Sequence, residues 1–373
     1  AEWLVIFGNG YDSQKSHAVL YILNLATGDV IKKIDTGVGN CNGLSSPTAI
    51  DVDSNGTADY VYAGDLKGNM WKFDLTDASV AEWGVAYQDA SGPPSNPAPV
   101  FQAKNLSGLP QPITSKPDVM YHCERQGYQV IFGTGRYLTE LDLESSESNS
   151  VYGIWDYGDD DDDSEYLGSF ERAAVPQLLN PHLDGVDSRT RVKLLEQTIE
   201  TGTWTTTDGR NLRVLTDYSP VWGTVDDVDA DQSYPQPDPG SATVGDTVHA
   251  GWYLDLPNTG EMVVSDVMVR DGKALVISFT PGKDPCGSGG SSIFHALDAC
   301  TGGRPNANVF VNIDEVVHDP VSGDETTIAK NSANWKEPSG VEFSGRLQPP
   351  VILRQGNKEY NYLSSSTGEV HKQ

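Results

Sequence analysis

The sequence has no long hydrophobic run. Its longest apolar stretches, such as Val19–Leu25 and Ala274–Phe279, are of strand length, far short of the ~18 residues a membrane-spanning helix needs, so no membrane insertion is expected. Basic charge is also scarce: 25 Lys and Arg stand against 53 Asp and Glu, a formal net charge of −28. Such a surface repels phosphate backbones and anionic headgroups, which argues against nucleic acid and membrane surfaces as partners. The acidity suits recruitment of divalent cations, and it serves equally to keep an extracellular chain soluble. The chain begins at Ala1 without Met or a signal peptide, as a processed chain or a fragment of a longer one would.

Cysteine is sparse and never in CxxC spacing. The four residues Cys41, Cys123, Cys286 and Cys300 therefore do not point to zinc or thioredoxin-like chemistry. They are compatible with two disulfides in an oxidising compartment, although three pairings exist. Cys286 and Cys300 flank the turn Gly287-Ser288-Gly289-Gly290 and a following strand, and a bridge across that local loop is the first choice. Cys41 with Cys123 then follows by elimination. Four unbridged, buried thiols are the alternative.

Enzyme signatures are missing as well. There is no GxSxG, HExxH, Walker loop or complete GxGxxG. Gly8-Asn9-Gly10 and Gly133-Thr134-Gly135 lack the third glycine and read as β-turns. The seven histidines include no pair at i, i+4, and His295, between Phe294 and Ala296, reads as a core or edge residue. Eight tryptophans are most simply packing residues, with an aromatic sugar platform as the alternative.

What the chain does contain is a recurring short strand, a glycine turn and a second strand. Ala18–Leu25 with Thr27-Gly28, Ser292–Leu297 with Thr301-Gly302 and Glu359–Ser364 with Thr367-Gly368 are its clearest echoes, and Tyr60–Gly64, Asn69–Leu75, Gln129–Gly133 and Lys273–Phe279 fit the same pattern. Short strands with Gly and Pro punctuation read as all-β. A loose period of roughly 40–50 residues favours a β-propeller of four-stranded blades, of which about five units are countable. Helical spacing is weak throughout. Its best instance, Ser188–Thr201, reads equally as a strand with a polar edge. Two acidic stretches, near 156–165 with Asp159 to Asp163 and near 226–246 with Pro235, Pro237 and Pro239, are expected to be solvated surface loops.

The sharpest chemical signal is Asp51-Val52-Asp53-Ser54-Asn55-Gly56-Thr57-Ala58-Asp59. Oxygen-bearing side chains at positions 1, 3, 5 and 9 with Gly at 6 match the front of an EF-hand loop. A hard cation wants six to eight oxygens, and alternate residues of a tight loop can point inward together. The metal ligands predicted are Asp51, Asp53, Asn55, Asp59 and the carbonyl of Thr57, with Ca2+ favoured over Mg2+. Position 12 departs from the EF-hand rule, since Tyr62 stands where a bidentate Glu belongs. The flanks Thr48–Ile50 and Tyr60–Ala63 read as strands. The metal-free alternative is an Asp/Asn/Gly hairpin turn.

Several segments, in one order along nearly all of the chain, resemble the C-terminal domain of the PilY family of type IV pilus tip-associated adhesins and assembly factors. They include Gly8–Asp12, Ala18–Gly28, Lys33–Gly37, the calcium loop running into Asp59–Asp74, Gln111–Thr114, Phe132–Leu138, Val151–Asp156, Gly251–Leu256, Asp284–Asp298 and Ser366–Glu369. The resemblance implies that residues 1–373 are that domain or most of it, a modified seven-bladed propeller with quinoprotein-like blades. It implies that a calcium loop on Asp51, Asp53, Asn55, Thr57 and Asp59 influences pilus extension and retraction. Implied too are minor pilins or the pilus tip as partners, a host or abiotic surface as target, and a cell-surface location reached through the periplasm. No vicinal cysteine pair accompanies the blades, so a quinone cofactor is not expected. The chain enters the family pattern partway through, so the first blades are expected to come from a preceding segment or another chain. No Arg-Gly-Asp is present. The readings from other classes are a secreted propeller enzyme, a quinoprotein dehydrogenase or glycan hydrolase, and a structural subunit of another extracellular appendage.

Overall fold

The Thr-Gly echoes are turns with a common chemistry. Asn24 Oδ1 accepts the amides of Ala26 and Thr27 at 2.8 and 3.1 Å, and Asp298 Oδ1 accepts those of Cys300 and Thr301, both at 3.0 Å. In each, the glycine that follows takes a left-handed backbone, with φ of 75° at Gly28 and 73° at Gly302, which glycine adopts without a Cβ penalty. Its amide then closes on the carbonyl of Asn24 or Asp298. The sequence thus specifies the end of one strand and the start of the next without help from distant residues.

A computed structural model describes residues 3–89, 96–156, 192–222, 248–282 and 289–373, except 308, 311, 312, 321, 322, 324, 331 and 357. Apart from Asp156, the two acidic insertions expected near 156–165 and 226–246 lie outside the described residues. The only helical element described is a short 3-10 turn at Glu140–Glu144; no described helix is long and apolar enough to cross a membrane.

Among the described residues, five sheets of three or more strands form the body of the fold, and Tyr87–Asp89 with Asn96–Ala98 makes a separate two-stranded sheet. The first contains Leu4–Gly8, Val19–Asn24 and Val30–Asp35. The second runs Thr48–Ile50, Tyr60–Gly64, Asn69–Asp74 and Phe101–Gln102, with Gly84–Val85 also on Asn69–Asp74. The third pairs Asp118–Tyr121, Tyr128–Gly133, Ser150–Asp156 and Val248–Asp255 in turn, and adds Val192–Gln197 parallel to the last of these. The segment with the best helical spacing, Ser188–Thr201, thus supplies a strand where it is described, its apolar residues reaching a sheet edge. In the fourth sheet Met268–Arg270 and Met262–Val263 pair Lys273–Pro281, followed by Gly290–Asp298 and Gly340–Ser344. That sheet continues through Asn211–Arg213, Thr203–Thr206, Glu315–Asp319 and Thr326–Ala329 to nine strands, an extension the sequence pattern did not reveal. The fifth holds Val351–Gln355, Lys358–Ser364 and Val370–Lys372.

Apolar faces stack between successive sheets. Leu20, Ile22, Val61, Trp71 and Phe73 form one cluster between the first and second, and Tyr62, Phe101, Phe132, Tyr152 and Trp252 belong to the largest, reaching from the second sheet to the fourth. Trp252 needs glycine on both sides: a Cβ at Gly153 or at Gly302 would lie 2.3 Å from its indole. The two end sheets are different. Trp3, Val5 and Phe7 on the first, and Val351, Leu353 and Val370 on the fifth, stay exposed. Among the described residues no ladder joins these two sheets.

The disulfide expectation is corrected. Cys300 bonds to Cys123, with the Cα atoms 6.0 Å apart and a sequence separation of 177. Neither Cys286–Cys300 nor Cys41–Cys123 forms: the third and fourth sheets stack so that the turn after Asp118–Tyr121 meets the turn after Gly290–Asp298, and this packing outranks closeness in sequence. Cys41 is exposed and unbridged; Cys286 lies outside the described residues.

Candidate metal centre

Residues 51–59 close the hairpin between Thr48–Ile50 and Tyr60–Gly64, whose register sets Ile50 opposite Tyr60. The Asp59 amide donates to the Ile50 carbonyl at 2.9 Å and shuts the base of the loop. Asp51 accepts the amides of Asn55 and Gly56 at 3.2 and 2.7 Å. Asp53 accepts the Asn55 amide at 3.0 Å, and Asp59 accepts that of Val52 at 2.7 Å. These short-range bonds wind the chain and require left-handed backbone at Ser54 and Gly56, with φ of 60° and 86°.

The winding brings three carboxylates together. Oxygens of Asp51, Asp53 and Asp59 all lie within 4.8 Å of one another. Two oxygens on one calcium ion are at most about 5 Å apart, twice the Ca–O bond, so the spacing fits a single shared ion. Asp59 is buried whereas Asp51 and Asp53 are exposed, which leaves one side of the cluster open to solvent. Asn55 and Thr57 share the loop, but Asn55 Oδ1 is turned to the Thr57 amide at 2.7 Å and to the Thr57 hydroxyl. Tyr62, in place of the EF-hand glutamate, is fully buried and committed elsewhere.

That commitment is a polar network under the loop which sequence reasoning missed. Asp156 takes the Tyr62 hydroxyl at 2.6 Å, the Tyr87 hydroxyl at 2.5 Å and the Lys72 ammonium at 3.1 Å. Burial alone would raise the Asp156 pKa; Lys72 and the two hydroxyls outweigh it and hold the carboxyl below its usual range. Burial, and then the Asp156 charge, push the Tyr62 hydroxyl well above its ordinary value. Lys72 Nζ also lies 4.1 Å from the centre of the Tyr60 ring, the residue next to Asp59. The hairpin is also tied to the segment leading into the third sheet, since the Thr48 hydroxyl donates at 2.5 Å to the carbonyl of Pro117, the residue before Asp118–Tyr121. Only the run of acids after Asp156 is visible in sequence; the partners of Asp156 are set by packing.

A second buried cluster sits in the fourth sheet. Arg213 and Glu261 form a bidentate pair at 2.7 and 2.6 Å, and the Ser278 hydroxyl lies 2.5 Å from Glu261 and 3.0 Å from His295 Nε2. Burial, then the neighbouring Arg213, drive the His295 pKa well below its usual value. With no exposed surface, His295 is the core residue its sequence context suggested.

Successive strand-turn-strand sheets packed face to face, with a carboxylate-lined hairpin in the second, define a β-propeller domain built on modified blades. A family model described as "PilY1 beta-propeller domain" matches residues 1–192, and the chain belongs to that family. It is 34% identical over 327 residues to the type IV pilus biogenesis factor PilY1 of Pseudomonas aeruginosa strain PAO1, covering 83% of this chain and 25% of that protein. A Type IV pilus biogenesis factor PilY1 homolog of Xylella fastidiosa strain Temecula1 is 32% identical over 329 residues, 83% of this chain and 18% of that one. The chain therefore spans a quarter or less of these curated relatives. The crystal structure of the Pseudomonas aeruginosa PilY1 C-terminal domain superimposes with a TM-score of 0.69 at 27% identity, covering 99% of this chain and 68% of that one. Both curated relatives are named as type IV pilus biogenesis factors or homologs of one.

Proposed function

We propose that this chain is the calcium-binding part of a type IV pilus tip component that acts in pilus assembly, in extension and retraction, and in surface adhesion. It works by binding, without chemical turnover. The observation that carries the reading is the convergence of Asp51, Asp53 and Asp59 within 4.8 Å in a propeller of the PilY1 family. Asp51, Asp53, Asp59, Asn55 through its amide oxygen and Thr57 through its main-chain carbonyl would hold the ion. Bound there, calcium supplies charge neutralisation and cross-linking of the hairpin. The partners are minor pilins or the pilus tip on one side and a host or abiotic surface on the other. An extracellular location reached through the periplasm agrees with the Cys123–Cys300 disulfide, since such bonds persist in oxidising compartments.

The test is thermal unfolding with and without millimolar calcium, on wild type and on Asp51→Ala/Asp53→Ala. A ligand that binds only the native state stabilises it by about 2.7 kcal/mol at a hundredfold excess over Kd. An upward shift in wild type that the variant loses is the expected result. No shift, with no calcium found by elemental analysis, reduces the loop to a turn.

The exposed apolar side chains of the first and fifth sheets, Trp3 and Val370 being 83% and 68% accessible, favour one addition. Further blades, from a preceding segment or from another chain, cover these faces and complete the propeller. A chain that supplies such blades, co-expressed with this one, should protect Trp3 from quenching by acrylamide; unchanged quenching would count against it.

A further inference from the structure

Away from the metal loop, a hollow of about 180 Å³ opens at the seam between the fourth and fifth sheets. It is smaller than the ~300–1,000 Å³ clefts that take drug-sized ligands, and suits a single residue. Its apolar lining is Leu275 from the fourth sheet, Ile352 from the fifth and Val309 from the connection after Gly290–Asp298. Leu275 is buried, and Val309 and Ile352 are half-buried.

The polar lining is unevenly satisfied. Arg270 is consumed by Glu359, which it grips bidentately at 2.6 and 2.7 Å across the seam. Lys273 is not: among the described residues its ammonium has only the Asp271 carbonyl at 3.3 Å and the Asp271 carboxylate at 3.6 Å. Asp271 is almost fully exposed, with 91% of its side chain accessible, so this contact is screened and weak. The Asn361 side chain is half-buried and makes no hydrogen bond among the described residues. Its amide is therefore met by water and free to exchange that water for a ligand, and an amide can donate to and accept from a peptide group together.

We propose that this hollow binds an aliphatic residue bearing a free α-carboxylate, its side chain on Leu275, Val309 and Ile352 and its carboxylate on Lys273. Asn361 pairs with the adjoining amide. The same chemistry is offered by the C-terminal residue of a polypeptide and by a free aliphatic amino acid. The inference is independent of the metal loop and of the pilus role.

The test is saturation-transfer NMR on the full chain with N-acetyl-L-leucine, N-acetyl-L-leucinamide, L-leucine and a short peptide ending in leucine. The proteins are wild type, Lys273→Gln and Ile352→Trp, each checked for folding by circular dichroism. N-acetyl-leucine is expected to bind at least about tenfold tighter than its amide, a gap of about 1.4 kcal/mol. Lys273→Gln should erase that gap, and Ile352→Trp should fill the recess and remove binding. Preference for the peptide and N-acetyl-leucine over leucine assigns a chain terminus, and the reverse a free amino acid. Equal binding of acid and amide, no transfer from any probe at millimolar concentration, or binding that survives in folded Ile352→Trp overturns the proposal. If Ile352→Trp does not fold, Val309→Phe replaces it.

Discussion

The Tyr62 hydroxyl of the second sheet donates a 2.6 Å hydrogen bond to the Asp156 carboxylate of the third. With Tyr87 and Lys72 on the same carboxylate, two stacked blades share one buried charge. Asp156→Ala would leave the Lys72 ammonium buried without its partner, and breaking a buried pair in this way costs roughly 3–5 kcal/mol. Tyr62→Phe removes one hydrogen bond to a charged group, a loss of roughly 1.5–3 kcal/mol. Urea unfolding should rank the two in that order. Because the folded carboxyl is held below its usual range, its contribution is intact above about pH 4, the unfolded value, and falls away as the pH drops through the folded pKa. Asp156→Asn should flatten that acid limb.

The proposed calcium site draws on both side-chain and main-chain ligands, which two substitutions tell apart. Asp53→Asn removes a carboxylate and should weaken calcium by at least about tenfold, or 1.4 kcal/mol. Thr57→Ala leaves the carbonyl in place and should stay close to wild type. Calorimetric titration of both variants decides it; a large loss in Thr57→Ala would show that its hydroxyl, now bonded to Asn55, carries the loop's shape.

Peptide mapping without reduction should recover the Cys123–Cys300 bridge, and maleimide should label the exposed Cys41 in the native protein. Cys123→Ser/Cys300→Ser should lose roughly 2–5 kcal/mol of stability, as removal of native disulfides does. A smaller loss would mean that sheet packing alone holds this seam.

His122 supplies a pH dependence at the same seam. Its ring lies 4.8 Å from that of Trp155 and 4.3 Å from that of Trp222. Burial, helped by Arg125, pushes its pKa down to about 4. The unfolded chain takes up a proton near pH 6.5 and the folded chain does not, so stability is full above about 6.5 and declines as the pH falls toward 4. His122→Gln should remove this slope from melting temperatures measured between pH 7 and pH 4.

The parts readable in sequence were those whose causes are local. Asn24 to Gly28 and Asp298 to Gly302 hold every group their turns need, and Asp51 to Asp59 hold all the proposed ligands, so strand ends and candidate site stood out directly. The pairing of Cys123 with Cys300 depends on how two sheets stack, and the partners of Asp156 come from residues 62, 72 and 87. The extension of the fourth sheet is assembled from strands on both sides of Gly290–Asp298. No periodicity or spacing encodes such distant meetings.

The bridge from Cys123 to Cys300 closes a covalent ring across a sequence separation of 177. Any one peptide bond cut between those residues opens the ring without releasing a piece, adding only the mass of a water molecule. A protease acting once anywhere between them would yield a nicked molecule that runs as two fragments only after reduction, its third and fourth sheets still held by the same sulfur bond.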